Sequence, residues 1–261
     1  MSNDEVQHAA LAHDLMTSPK SRAHFLKGAA IAAAGLGIAP SIAKAAALDG
    51  KTLAGMPETP QTILNIAATA EAAAVTALYN LHVAVNEGRV NTAGIAIPVP
   101  TLVHIVRGIL RQEQDHYAFL TGAGAKPLVT SFTFPPVILS NAIQALRFLE
   151  TADEIFAAAY LAANREFAQG GLAKLAQYSY QIGATEETHR SLARAAQGKL
   201  PNNRSYVRNL FPNRVGGAVR VFTQLGVLKP GLNYPGAMKV DAILRNSVDH
   251  DVSAGVSLRH P

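Results

Sequence analysis

Glu113-Gln-Asp-His116 and Glu186-Glu-Thr-His189 place the same Glu-x-x-His element in two separate Ala/Leu-rich stretches of the chain. Residues three apart on an α-helix share a face, so each element can aim a carboxylate and an imidazole at one point. Lone glutamates, Glu71 and Glu154, lie in the middle of two further helical stretches. Four carboxylates and two imidazoles on four helices would make a site for two metal ions. An isolated carboxylate in an apolar core costs several kcal/mol, on the order of 3–5, and four together repel one another, so such a group requires counter-charge. Two divalent cations would supply it.

One Glu-x-x-His match carries little weight. Ten Glu and nine His in 261 residues give about a third of a match by chance, and Glu5/His8 is a further match near the start of the chain. The joint pattern is what counts. Both of the other matches fall mid-helix on apolar faces, and each follows a helix with an inward glutamate: Glu71 precedes Glu113 by 42 positions and Glu154 precedes Glu186 by 32. The competing arrangement has the same acids facing solvent or paired with Arg107, Arg111, Arg190 and Arg194. Oxygen and imidazole donors without thiolate suit iron or manganese, and zinc can occupy such a set as well.

The apolar periodicity predicts four long helices, over 60–87, 101–120, 136–167 and 172–197. Thr59 is the expected N-cap of the first, with Pro60 in its first turn and Gly88 as its stop; Gly170-Gly171 and Gly198 close the third and fourth. The 122–135 connection, flanked by Gly and Pro, spans up to ~46 Å at ~3.3 Å per residue. A helix of ~20 residues is ~30 Å long, so this connection can cross from one end of the helices to the other. The predicted fold class is all-α: a four-helix bundle over 48–198 with a long crossover between helices two and three, then a mostly irregular extension over 199–261. Within that extension, 217–225 and 238–245 are the helix-like pieces.

Composition agrees: 49% hydrophobic, 16% charged, rich in Ala and without Trp. The absence of cysteine excludes disulfides and iron–sulfur clusters, so electrons for a redox site must come from an external donor. Residues 1–47 read as an export signal, with an apolar run over 28–38 and Ala-x-Ala at Ala43/Ala45 and Ala45/Ala47. Within it, Ser21-Arg22-Ala23-His24-Phe25-Leu26-Lys27 resembles a twin-arginine export motif in which Ala23 stands in place of the second arginine. Downstream, no stretch is expected to cross a bilayer. The basic balance belongs to the tail, with 10 Lys+Arg against 12 Asp+Glu over 46–198 but 9 against 3 over 199–261. Arg204, Arg208, Arg214 and Arg220 are candidates for contact with an acidic envelope surface or a neighbouring subunit of a homo-oligomer; no aromatic-basic interleaving suggests nucleic acid.

Taken together, Glu71, Glu113/His116, Glu154 and Glu186/His189 resemble the ferritin-like superfamily of di-iron carboxylate four-helix bundles. The resemblance covers about residues 58–198, and within that superfamily it is closest to exported bacterial proteins with a ferritin-like domain that are similar to desiccation-related proteins. It implies two metal ions, with Glu113 and Glu186 bridging, His116 and His189 terminal, and Glu71 and Glu154 as the remaining carboxylates. Glu150, one turn before Glu154, is the rival for the third helix. Asp115 and Asp153 are expected to point to other faces, Tyr117, Tyr160, Tyr178 and Tyr180 are expected chiefly as packing residues, and His82 and His104 lack a partner at ligand spacing. The resemblance further implies oxidation of Fe(II) by O₂ or peroxide. Its rivals are a non-catalytic stress protein held at the envelope by the tail, and a dimanganese catalase-like enzyme. The basic tail has no counterpart in the cage-forming ferritins, so no shell is expected.

Overall fold

Thr59 and Pro60 begin the first helix, α1 (Pro60–Asn86): the Thr59 hydroxyl accepts from the Thr62 amide at 3.2 Å, and proline occupies the first turn, where its missing N–H costs nothing. The computed structural model describes residues 58–203, 206–211 and 214–245, so the expected export signal at 1–47 lies outside the described residues. Three further long helices follow, α2 (Val99–Gly122), α3 (Ala142–Gln169) and α4 (Ala173–Ala196), and the protein is predominantly helical. By length and composition α1 could cross a membrane, contrary to the sequence expectation, but most of its apolar window is buried by the rest of the chain, as in the core helix of a packed domain.

Side-chain and backbone contacts at the helix ends fix the order of directions. Gln61 Nε2 donates to the Gly124 carbonyl at 3.0 Å, so α2 ends where α1 begins and the two run antiparallel. The connection then travels back along α1. The Lys126 and Leu128 amides donate to Asn65 Oδ1 and Thr69 Oγ1, both at 2.8 Å, and past a 3₁₀ turn (Pro136–Leu139) the Asn91 amide donates to the Ser140 carbonyl at 2.8 Å. Therefore α3 starts at the end where α2 starts, and the two run parallel. Gly170-Gly171 reverses the chain into α4, whose last turn returns to that same end: the Ala96 amide donates to the Ala196 carbonyl at 2.9 Å.

The expected start of α3 at residue 136 is six residues early. Pro136 does open a helical turn, but Asn141 is the true cap, its Oδ1 accepting from the Gln144 amide at 3.0 Å, and the Asn91–Asn141 bridge holds the intervening backbone out of the helix.

Each long helix presents an inner stripe at alternating spacings of three and four, the period that keeps one face on a neighbouring helix. The stripes are Ala68-Glu71-Val75-Leu78, Val106-Ile109-Glu113-His116-Leu120, Leu149-Asp153-Phe156-Tyr160-Ala163, and Ser179-Ile182-Glu186-His189-Ala193, all buried. Polar groups thus occupy the middle turns of four otherwise apolar faces.

Among the described residues of the tail, the two helix-like pieces expected from the sequence form, and a strand not expected from it lies between them. Short helices α5 (Gly216–Gln224) and α6 (Ala237–Arg245) flank strand β2 (Leu232–Asn233), which pairs antiparallel with β1 (Ser131–Phe132) in the crossover. Glu58 and Glu166 accept from the Val215 amide at 2.8 and 3.0 Å, and Glu58 also accepts from Gly216 at 3.0 Å, so carboxylates meet the positive end of α5. Gly231 lies so close to the crossover that a Cβ there would fall 2.4 Å from the Phe132 carbonyl oxygen. Gly231→Ala should therefore destabilise the protein by about 1–3 kcal/mol, through forced separation of β1 from β2. Urea unfolding and limited proteolysis of the tail measure this; an unchanged midpoint would contradict the packing described.

Candidate metal centre

Glu71 from α1, Glu113 and His116 from α2, and Glu186 and His189 from α4 meet between the helices, each essentially sealed from solvent. His116 Nδ1 lies 3.5 Å from Glu71 Oε2, 3.6 Å from Glu113 Oε2 and 3.5 Å from Glu186 Oε1. His189 Nδ1 lies 3.0 Å from Glu113 Oε1 and 3.7 Å from Glu186 Oε2. The two glutamates of the Glu-x-x-His elements therefore each give one oxygen to either histidine. The rings stand side by side with centroids 6.4 Å apart.

The sixth member of the cluster is Asp153 rather than Glu154. Asp153 joins Glu113, Glu186 and His189 in a group whose donor atoms all lie within 4.8 Å of one another, as do those of Glu71, Glu113, His116 and Glu186. Glu154, one residue along α3, faces a different flank: it accepts from Arg190 Nη2 at 3.2 Å and from Arg208. Glu150, its rival, pairs with Arg194 and Lys199. The physical reason is helical phase. Asp153 is in step with Leu149, Phe156 and Tyr160 on the inner stripe, whereas a neighbour on the helix is turned by about 100°. The stripe was readable from the sequence, but carboxylate type and centrality favoured Glu154.

Sequence reasoning also missed Gln112 and undervalued Tyr160. His189 Nε2 donates to Gln112 Oε1 at 2.7 Å, which orients the ring and leaves Nδ1 for the cluster. The Tyr160 hydroxyl donates to Glu71 Oε1, turning Oε2 inward. Tyr160 can sit there because α4 carries Gly183 opposite it, where a Cβ would lie 3.0 Å from Tyr160 Cβ. The remaining candidates lie elsewhere. Asp115 pairs with Arg111 at 3.1 Å, His82 meets Asn86, His104 meets Arg107, Tyr117 packs on Tyr234, Tyr178 on Phe119, and Tyr180 is exposed.

The cluster's own chemistry is that of a group able to hold a cation. Glu71 Oε2, Glu113 Oε2, His116 Nδ1, Asp153 Oδ2, both Glu186 oxygens and His189 Nδ1 are buried without a hydrogen-bond partner. Native interiors rarely leave such atoms unmatched. Ligands about 2.1 Å from one ion stand roughly 3–3.5 Å apart, close to the spacings around each histidine. The buried Glu/His cluster could thus hold a metal ion.

Without a cation, protons take its place. Burial, reinforced by Glu113, holds Glu71 well above the usual carboxylate range; burial likewise raises Asp153 despite the attraction of His189, with Glu186 and Glu113 adding to the rise. Burial lowers both histidines, but the surrounding carboxylates more than offset it, taking His116 well up and His189 up to about 10. Burial would raise Glu113 too, yet the groups around it, Glu71, His116 and His189, hold it below its ordinary value.

Comparison of the chain with family models, with curated proteins and with solved structures finds no match in any of the three.

Protons and cations compete for the same atoms, so metal affinity should rise with pH, by up to about tenfold per unit for each proton displaced. The sign for folding is opposite. His189 has a folded value near 10 against 6.5 for the ordinary side chain, so its contribution is present in full below about pH 6.5 and is lost as pH rises through 10. Chelated protein should show a falling urea midpoint between pH 7 and 10 that added divalent cation restores. A midpoint indifferent to cation at both pH values would contradict the site. A second comparison separates the neighbours on α3: Asp153→Asn should weaken metal binding at least tenfold in a metal titration, whereas Glu154→Gln should leave it within about twofold.

Proposed function

We propose that this protein is an exported, ferritin-like di-metal carboxylate protein that oxidises Fe(II) with O₂ or peroxide. The observation that carries the reading is the division of Glu113 and Glu186 between two histidines. One oxygen of each carboxylate belongs to the His116 group and the other to the His189 group. A single ion would leave half of these atoms unmatched, and two ions would match both halves. His116 and Glu71 would hold one ion, His189 and Asp153 the other, with Glu113 and Glu186 common to both. The order of helix directions, with a crossover between α2 and α3, supports the ferritin-like reading, and the sequence of residues 1–47 supports export.

Two Fe(II) ions held there would each give up one electron, so that two Fe(II), one O₂ and two protons would yield two Fe(III) and hydrogen peroxide. Iron is then the substrate as well as the occupant. For repeated turnover without fresh iron, two electrons per cycle would have to come from an external donor, and without cysteine the chain has no iron–sulfur relay of its own to pass them. The protein's part is geometry and exclusion of water. Gln112 holds His189 in the ligating orientation, Tyr160 holds Glu71, and the apolar stripes above and below keep other ligands out. Manganese fits the same hard donor set.

A purely structural role with attachment to an envelope through the basic tail gains less support. Lys199 and Arg208 already bind Glu150 and Glu154 within the chain. Metal analysis of natively purified protein should give two equivalents, against near none in Glu113→Ala/Glu186→Ala. The iron-loaded parent should consume about one O₂ per two Fe(II), measured with an oxygen electrode. Equal metal contents in parent and variant would refute the site assignment.

A further inference from the structure

Between α1, α3 and the C-terminal α5 lies a cavity of about 50 Å³ whose walls are almost wholly apolar. Alanines make the room: Ala67, Ala70 and Ala73 on α1 face Ala159 and Ala163 on α3. Ala218, Val219 and Phe222 of α5 close the third side. The wall residues with a polar group are Thr69 and Tyr160, and both groups are engaged. Thr69 Oγ1 donates to the Asn65 carbonyl at 2.7 Å and accepts from the Leu128 amide at 2.8 Å, while the Tyr160 hydroxyl is held by Glu71. A firmly held water needs two to four polar partners, which these walls do not offer, so the space favours small apolar guests over ordered water.

A second, smaller cavity of about 20 Å³ continues along the same seam. It shares Ala73, Phe156, Phe222 and Val227 with the first, and its far wall includes Glu113 and Asp153 of the candidate metal centre. The rings of Phe156 and Phe222, with centroids 5.2 Å apart, stand where the two spaces adjoin.

We infer that the α1–α3 seam, roofed by α5, is a binding and delivery site for dioxygen, the Phe156–Phe222 pair separating an outer chamber from an inner one at Glu113 and Asp153. The inference rests on the di-metal reading above and deepens it by choosing the oxidant. Dioxygen is a small apolar molecule that gains by leaving water for an apolar cavity of this size. Hydrogen peroxide donates and accepts hydrogen bonds, and the chamber offers it no unengaged partner. It also gives the C-terminal segment a role, since Phe222 and Val227 are walls of both chambers.

Xenon is the probe, because it occupies dry apolar cavities without chemistry. In solutions of the full chain, ¹²⁹Xe NMR should show saturable binding that Ala159→Phe, which fills the outer chamber, abolishes. In the same variant, kcat/KM for O₂ in Fe(II) oxidation should fall about tenfold with kcat at saturating O₂ retained. Anaerobic metal content should stay at the parent level, and the rate with hydrogen peroxide as oxidant should not change. Phe222→Ala, which enlarges the junction, should raise xenon affinity and raise kcat/KM for O₂ or leave it undiminished; it carries the test if Ala159→Phe does not fold. Absence of a xenon site in the parent, an unchanged O₂ dependence in Ala159→Phe, or unchanged xenon affinity in Phe222→Ala would overturn the inference. A parent that binds xenon but no ion pair would sink the di-metal reading and the delivery role with it. A parent with both ions and no xenon site would sink the cavity alone.

Discussion

Four carboxylates and two imidazoles enclosed in an alanine and leucine interior are the constraint on which the rest of the structure depends. Charge in such a place is tolerated only when something of opposite sign sits among it. The cluster has two ways to meet that condition, by protons on Glu71, Asp153 and the histidines, or by cations. Both solutions act through the same inward atoms, and the surrounding residues keep those atoms available. Tyr160 takes the outer oxygen of Glu71 and Gln112 the outer nitrogen of His189, so neither ligand can turn away to find a partner of its own. Gly183 lets α3 and α4 approach closely enough for the first of these contacts.

Carboxylates on the outer flanks of α3 and α4 obey the same rule with a different partner. Glu150, Glu154 and Glu187 are each matched by arginine, from α4 in every case and from the tail for Glu154. Arg194 is nearly buried, and it also donates to the Leu200 carbonyl at 3.1 Å and to Asn203 Oδ1 at 2.7 Å, tying the chain beyond α4 to the helical pairs. Two basic residues beyond α4, Lys199 and Arg208, thus pair with acids of α3. Acids that meet arginine, or backbone amides as Glu58 and Glu166 do, are satisfied without a metal; Glu71, Glu113, Asp153 and Glu186, which converge between the helices, have no arginine among them in the described residues.

That distinction also marks the boundary of what could be read from the chain alone. Both Glu-x-x-His elements and Glu71 were legible because each lies on a 3–4 stripe of apolar residues, and phase is a local property. The choice between Asp153 and Glu154 needed the phase of α3 weighed above residue type, since Leu149 and Phe156 stand four before and three after Asp153. Helix stops were legible at glycines, as at Gly88 and Gly198, because positive φ is a backbone requirement. The start of α3 was not, because Pro136 and Asn141 are both credible openings and the bridge to Asn91 decides between them. Gln112 and the pairing of β1 with β2 carry no local signal at all; each depends on a partner 77 or about 100 positions away.

The alanine content acquires a meaning beyond helix propensity when the two seams of α3 are compared. Against α4, small residues bring the backbones together, as at Gly183 and Tyr160, and the space left beside them is only about 20 Å³. Against α1, alanines face one another across a gap that α5 only partly fills. Cavities lower stability because the atoms around them lose contacts, so an apolar void beside a cluster already costly to bury is a second departure from the best-packed arrangement in the same region. Two such departures side by side, one in charge and one in packing, are what a site needs if its occupant is ionic and the molecule that must reach it is not.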